Sequence, residues 1–148
     1  MGYKDASSTY KETRIKTAGQ GQLIVMLYDE AVKQLTKATD LLELNKTDKK
    51  DPGRIEQISK AIMKTEEILT ELMVSLDFEQ GGEISKNLFS LYTWFNRELV
   101  EANISQNVNR ILTVRDLLAE LRNTWSTVAS QAPAENTNRE AVGLNIAG

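Results

Sequence analysis

The glycines and prolines of this chain all lie outside the segments in which apolar residues recur with helical spacing. Eight glycines and two prolines leave three uninterrupted windows, 22–51, 54–80 and 83–132. Because these two residue types end helices most strongly, the windows predict helices that begin and end near their bounds. The third window is too long for one helix of a small domain. Its Asn- and Ser-rich stretch at 103–107 is the predicted break, which makes four helices.

Apolar residues within the windows alternate spacings of three and four residues, which places them on one face of an α-helix. The second window shows this most regularly, at Ile55, Ile58, Ile62, Thr65, Leu69, Leu72 and Leu76. Asp51-Pro52 predicts its start, as an N-cap residue followed by proline at the first helical position. Gly81-Gly82 predicts the chain reversal after it. Short connections make sequential helices antiparallel, so the predicted fold is an all-α, up-down-up-down four-helix bundle.

The two ends of the chain differ from the windows between them. Residues 1–16 are polar with isolated apolar side chains, and residues 132–148 are mostly small and polar. Segments of this composition bury too little apolar surface to order themselves. We therefore expect a flexible N-terminal arm at 1–16, a bundle domain at 17–131 and a disordered tail at 132–148.

The absence of two residue types excludes several classes of catalytic and metal-binding site. The 148 residues include no cysteine and no histidine, which excludes thiolate nucleophiles, Cys-based zinc sites, histidine phosphotransfer and Ser-His-Asp hydrolysis. A net charge of −3 argues against a nucleic-acid partner and against a polybasic membrane anchor. Without an apolar run of about 18 residues or an apolar leader, we expect a cytoplasmic protein that does not insert into membranes.

Carboxylates are the catalytic groups that remain. The pairs Glu67/Glu71 and Glu98/Glu101 have helical spacings at which two carboxylates bind Mg²⁺, as in all-α nucleotide hydrolases. Glu67 and Glu71, however, fall opposite the apolar seam of their helix, where charged residues are ordinarily solvated. We therefore predict no catalytic residue, no metal and no cofactor, with a Mg²⁺-dependent hydrolase as the weaker alternative.

The third helix carries more apolar residues than a bundle helix needs. Its core positions Leu88, Leu91 and Phe95 are flanked by Phe89 and Tyr92. A bundle helix requires only about three core positions per heptad. The surplus therefore indicates either a wide core or an exposed groove for another helix, and periodicity alone does not decide between them.

Several short motifs, taken in order, resemble the flagellar secretion chaperone family, FliS. They are Thr17-Ala18, Leu23 to Asp29, Leu72 to Asp77, Gly81 to Ile84, Asn87-Leu88, Leu91-Tyr92, Ala102-Asn103 and Glu120 to Trp125. The resemblance covers roughly residues 10–125. It departs at Gly19-Gln20-Gly21 and at Glu30, where the family favours other residues, and this affects where the first helix starts.

The resemblance implies a non-enzymatic cytosolic chaperone. Such a protein binds the disordered C-terminal segment of flagellin, prevents premature polymerisation and delivers flagellin to the flagellar type III export apparatus. The expected partners are therefore flagellin and a component of the export gate, and a weak homodimer remains open. The alternative function is that of a helical adaptor for another protein.

A binding groove for the client follows from the resemblance together with the surplus apolar residues. Its expected apolar lining is Met26, Leu27, Tyr28, Leu76, Leu88, Leu91, Tyr92 and Phe95. For Tyr10 and Ile15 of the arm, docking in the groove when the client is absent and a place in a disordered leader both remain open. Asp29, Asp77 and Asn87 also match the family pattern. For these three, helix capping, hydrogen bonding across the bundle and contact with the client all remain open.

Overall fold

Over the residues that the structure describes, the chain forms an antiparallel bundle of four α-helices. A computed structural model describes the backbone of residues 2–48 and 51–131, and the side chains of residues 20–48 and 51–131. The helices are α1 (Gly2–Thr47), α2 (Pro52–Val74), α3 (Phe78–Ser105) and α4 (Val108–Gln131). Each packs against two others: α1 and α3 both contact α2 and α4. The predicted four-helix fold is confirmed.

One continuous apolar core lies along the bundle axis, and every helix contributes to it. Tyr28, Ile62, Phe95 and Leu118 are fully buried, one from each helix in order. The backbones of α2 and α4 approach α1 more closely than they approach α3. At Gly21, a Cβ atom would lie 3.3 Å from the Cβ atom of Ala129, so the absent side chain permits the close approach of α1 and α4.

Two of the predicted helix boundaries are confirmed. Asp51 is the N-cap of α2, and its carboxylate accepts a hydrogen bond from the Gly53 amide at 2.8 Å. The break between α3 and α4 falls within 103–107, where Gln106 has a left-handed backbone with φ of 54°. Asn107 then accepts a hydrogen bond from the Arg110 amide at 3.2 Å, which satisfies an otherwise unpaired donor of the first turn of α4.

The chain reversal between α2 and α3 begins before the predicted Gly81-Gly82 and includes the positive φ of Gly82. The chain turns earlier, at residues 75–77, because Asp77 supplies an N-cap for α3 by accepting hydrogen bonds from the Glu79 and Gln80 amides, both at 3.0 Å. Gly82 lies inside α3, where its φ of 51° makes a kink. A positive φ is easily reached by glycine alone, and here it separates the short helical segment at 78–81 from the long helical segment that begins at residue 83.

The first helix begins earlier than the sequence predicts. Its backbone is helical from Gly2, so α1 runs through the expected arm and includes Gly21, which we expected to precede it. Glycine costs a helix about 1 kcal/mol relative to alanine, a penalty that does not forbid it. The side chains of Tyr10 and Ile15 and the tail at 132–148 lie outside the described residues. The docking of the arm and the three-part division stay predictions.

Candidate partner-binding surface

Five residues predicted to line an open groove are instead buried in the core: Leu27, Tyr28, Leu88, Tyr92 and Phe95. Residues 88, 92 and 95 recur at the three-and-four spacing of the inward face of α3, so their side chains point to the bundle axis. At these positions the surplus of apolar residues makes a wide core. Because the five side chains are buried, no open groove exposes them in this structure. Their role in partner binding stays a prediction.

The two buried tyrosines form a polar contact inside that core. The hydroxyl groups of Tyr28 and Tyr92 share a hydrogen bond, and the indole N–H of Trp125 donates to the Tyr28 hydroxyl. Burial raises the pKa of Tyr28 to about 12 and raises that of Tyr92 further, because the phenolate form would lose its hydration. The hydroxyls therefore satisfy each other and link α1, α3 and α4.

Solvent reaches the remaining apolar residues of the predicted groove only in part. Met26, Leu76 and Leu91 are half-buried. Leu76 and Leu91 pack against the edge of the core. Leu76 and Leu91 therefore lie at the rim of the core, on the connection after α2 and on α3, whereas Met26 is half-buried on α1.

The three polar residues of the predicted site have separate surroundings. Asp29 accepts a hydrogen bond from Arg122 at 2.7 Å and so forms an ion pair between α1 and α4. Asp77 caps α3, as described above. Asn87 is exposed on α3. Two of the three roles left open by the sequence are thus found here: a bond across the bundle for Asp29 and a helix cap for Asp77.

An apolar surface does exist, along the flank of α3 that faces α2. We call it the α2–α3 stripe, and its side chains are 43% to 80% exposed. Phe78 and Phe89 contact each other edge to face, with ring centroids 5.9 Å apart. The complete set is Ile55, Met63 and Val74 from α2 with Phe78, Phe89, Val100 and Ile104 from α3. A row of exposed apolar side chains of this kind is typical of a protein-binding surface.

Polar residues interrupt the stripe at its inner edge. The Asn103 side-chain amide donates to the Ser59 hydroxyl at 3.1 Å, which fixes how α3 lies against α2. The Oδ1 atom of Asn96 is buried and has no hydrogen-bond partner within the described part of the chain. Glu66 is half-buried on the facing flank of α2, and burial raises the pKa of its carboxyl group.

The sequence contained a signal for the stripe that the predicted site did not use. Met63, Val100 and Ile104 are apolar residues that fall outside the three-and-four seams of their helices. Phe89 belongs to the surplus apolar residues of the third helix but not to the predicted site. Apolar residues on the polar side of an amphipathic helix are the pattern that identifies such a surface from sequence.

The acidic residues do not assemble a metal centre within the described side chains. No three of their metal-ligating groups lie close enough together to hold an ion. Glu98, one of the candidate Mg²⁺ ligands, instead pairs with Arg110 of α4 at 3.1 Å. Among the described residues, no helix combines the length and the apolarity that crossing a bilayer requires.

Comparison with known proteins finds one family along almost the whole chain. The family model described as "Flagellar protein FliS" matches residues 3–132. The flagellar secretion chaperone FliS of Salmonella typhimurium is 34% identical over 132 residues, which cover 88% of this chain and 92% of that protein. The protein of the same name from Escherichia coli K12 is 32% identical over 114 residues, covering 77% and 79%. That of Bacillus subtilis is 24% identical over 125 residues, covering 84% and 86%.

Proposed function

The chain belongs to the FliS family, and from this premise we propose that it is a cytoplasmic export chaperone whose client is flagellin. It binds the C-terminal segment of flagellin, prevents premature polymerisation and delivers the client to a component of the flagellar type III export gate. It does so without catalysing a reaction. The family membership supports the export role, and the surface described above supports the mode of binding.

The α2–α3 stripe is the observation that carries the proposed mode of binding. From Ile55 to Val74 it runs along α2 for about 28 Å, at 1.5 Å per residue. An amphipathic helix of about 19 residues matches that length and would place its apolar face on the stripe. Such a face would otherwise pair with other flagellin molecules, so covering it prevents assembly. A segment that orders on binding loses conformational entropy, and this keeps release possible.

Calorimetric titration with a synthetic C-terminal peptide of flagellin tests the proposal. We expect one peptide to bind each chain. Replacing both Val100 and Ile104 with serine is expected to weaken binding by roughly tenfold or more, because two exposed apolar contacts are lost. The melting temperature should stay nearly unchanged, since both side chains are exposed.

The matched control is Leu44→Ser, which removes an apolar side chain of α1 that is about as exposed as Val100 and lies outside the stripe. This variant should bind the peptide as the unaltered chain does. Absence of binding to the unaltered chain would favour the adaptor alternative, whereas equal affinity of the serine double variant would place the client elsewhere. A chain without residues 1–16 should bind equally well or better if the arm competes with the client.

A further inference from the structure

The helical register places two side chains with hydrogen-bond acceptors, Glu66 and Asn96, at one level of the α2–α3 stripe. The bond between Ser59 and Asn103 sets the antiparallel register of the two helices. Glu66 lies seven residues after Ser59 in α2, and Asn96 lies seven residues before Asn103 in α3. Seven residues make about two helical turns, so Glu66 and Asn96 lie on the same flanks of their helices as Ser59 and Asn103.

Neither acceptor is satisfied within the described part of the chain. Asn96 Oδ1 is buried without a partner, and a buried acceptor in that state costs about 1–3 kcal/mol. Glu66 forms no ion pair there, and desolvation is the cause of its raised pKa. The charged neighbours at this level are Arg97 on α3 and Glu67 on α2, and both are exposed. The half-buried Glu66 carboxylate and the buried Asn96 amide oxygen thus both lack a partner within the described residues.

We propose that Glu66 and Asn96 together bind one basic side chain, lysine or arginine, on the apolar face of the client helix. This inference rests on the proposed function and adds what fixes the position of the client along the stripe. A cation satisfies both acceptors at once, whereas a neutral donor would leave the carboxylate charge uncompensated. The methylene stem of lysine or arginine packs on apolar neighbours such as Met63 and Val100 while its charged end reaches the acceptors.

The same charge argues against a second copy of this chain as the occupant of the stripe. In a two-fold symmetric contact, each residue near the axis meets its own copy. A dimer centred on this level would bring two Glu66 carboxylates together in a desolvated interface. Like charges in that position repel and stay uncompensated. A helix that supplies the opposite charge fits the surface better.

The test compares Glu66→Gln with Glu67→Gln in the peptide titration. Glu66→Gln keeps the shape of the side chain and removes its charge, so we expect peptide affinity to fall roughly tenfold. Glu67→Gln removes the adjacent, exposed charge and should change affinity less than twofold. Replacing each basic residue of the peptide with glutamine in turn should identify one whose loss no longer matters in the Glu66→Gln background.

The pH dependence supplies a second measurement. Binding of a cation lowers the pKa of Glu66 from its raised value in the free chain, so peptide affinity should decline as pH falls from 7 to 5. The decline should be absent in Glu66→Gln and retained in Glu67→Gln. Asn96→Leu should raise the melting temperature, because it removes the orphaned acceptor, and yet weaken binding; a merely structural residue would not show these opposite changes.

The outcomes separate the inference from the function on which it rests. If the peptide binds and Glu66→Gln matches the unaltered chain, or if Glu67→Gln weakens binding equally, the basic-residue site is wrong and the chaperone function stands. If the unaltered chain binds no peptide, the proposed function itself fails.

Discussion

The helices α1 and α3 each lie between α2 and α4, but they pack differently against these neighbours. Along α1 the backbones of α2 and α4 come close, and a Cβ atom at Gly21 would lie only 3.3 Å from the Cβ atom of Ala129. Along α3 the neighbours stand farther away, and apolar side chains such as Val100 and Ile104 remain exposed on its flank. The α1 side of the bundle is therefore closely packed, whereas the α3 side exposes apolar side chains to solvent.

The volumes of the inward-facing residues account for this difference. The core face of α1 includes Ala31 and Ala38, both fully buried, and small residues let helices approach closely. The core face of α3 carries Tyr92 and Phe95, which are also fully buried. α1 contributes one large aromatic side chain to the axis, Tyr28, whereas α3 contributes two, so the aromatic volume is greater on the α3 side. A wide core and an exposed flank on α3 are therefore two consequences of the same residues.

The largest test of this comparison is Tyr92→Ala. Removing a fully buried aromatic side chain leaves a cavity, and we expect the free energy of unfolding to fall by about 3–5 kcal/mol. Chemical denaturation followed by circular dichroism measures the change. Lost peptide binding with a near-normal melting temperature would contradict the core assignment and would support direct contact between Tyr92 and the client.

Tyr92→Phe is the matched control for that experiment. It keeps the ring and removes only the hydroxyl, while the Tyr28 hydroxyl retains its bond from the Trp125 indole. The expected loss is about 1 kcal/mol, the net value of one buried hydrogen bond. Two equally destabilised variants would mean that the hydrogen bond, and not the ring volume, holds α3 in place.

The next largest effect is expected on the closed side, for Gly21→Leu. The new side chain would meet Ala129, and overpacking is expected to outweigh the gain in helix propensity by about 1–2 kcal/mol. Adding Ala129→Gly should restore part of the loss. On the open side, Thr93→Leu places a similar side chain at an exposed position of α3 and should change stability by less than about 0.5 kcal/mol. Equal costs would show that both sides are packed alike.

The inward faces of the helices could be predicted from the sequence. Ile58, Ile62 and Leu69 lie at alternating spacings of three and four, and all are fully buried. The N-cap at Asp51 is predictable for the same reason: helix periodicity and capping depend on residues close together in sequence. The family resemblance added the export role.

The open flank could not be predicted in the same way. The spacing of apolar residues predicts which face of α3 points inward. It does not predict the distance between α2 and α3, because that distance depends on side chains from several helices. The level shared by Glu66 and Asn96 depends likewise on a register set by Ser59 and Asn103, which lie 44 residues apart. Between α2 and the long part of α3 two local signals act in turn: Asp77 caps the first helical turn, and Gly82 interrupts the helix with a positive φ.

The smallest expected effects belong to two ion pairs, one on each side of the bundle. Asp29–Arg122 joins α1 to α4 at 2.7 Å, and Glu98–Arg110 joins α3 to α4 at 3.1 Å. Double-mutant cycles with Asn or Gln for the acids and Met for the arginines should give coupling energies below about 1 kcal/mol, since exposed pairs are well hydrated. Glu98 is 20% exposed and Asp29 52% exposed, so the Glu98 pair should couple more strongly and respond less to added salt. A larger coupling energy for Asp29–Arg122 would contradict this expectation. It would mean that the close packing of α1 against α4 strengthens an ion pair more than the burial of Glu98 does.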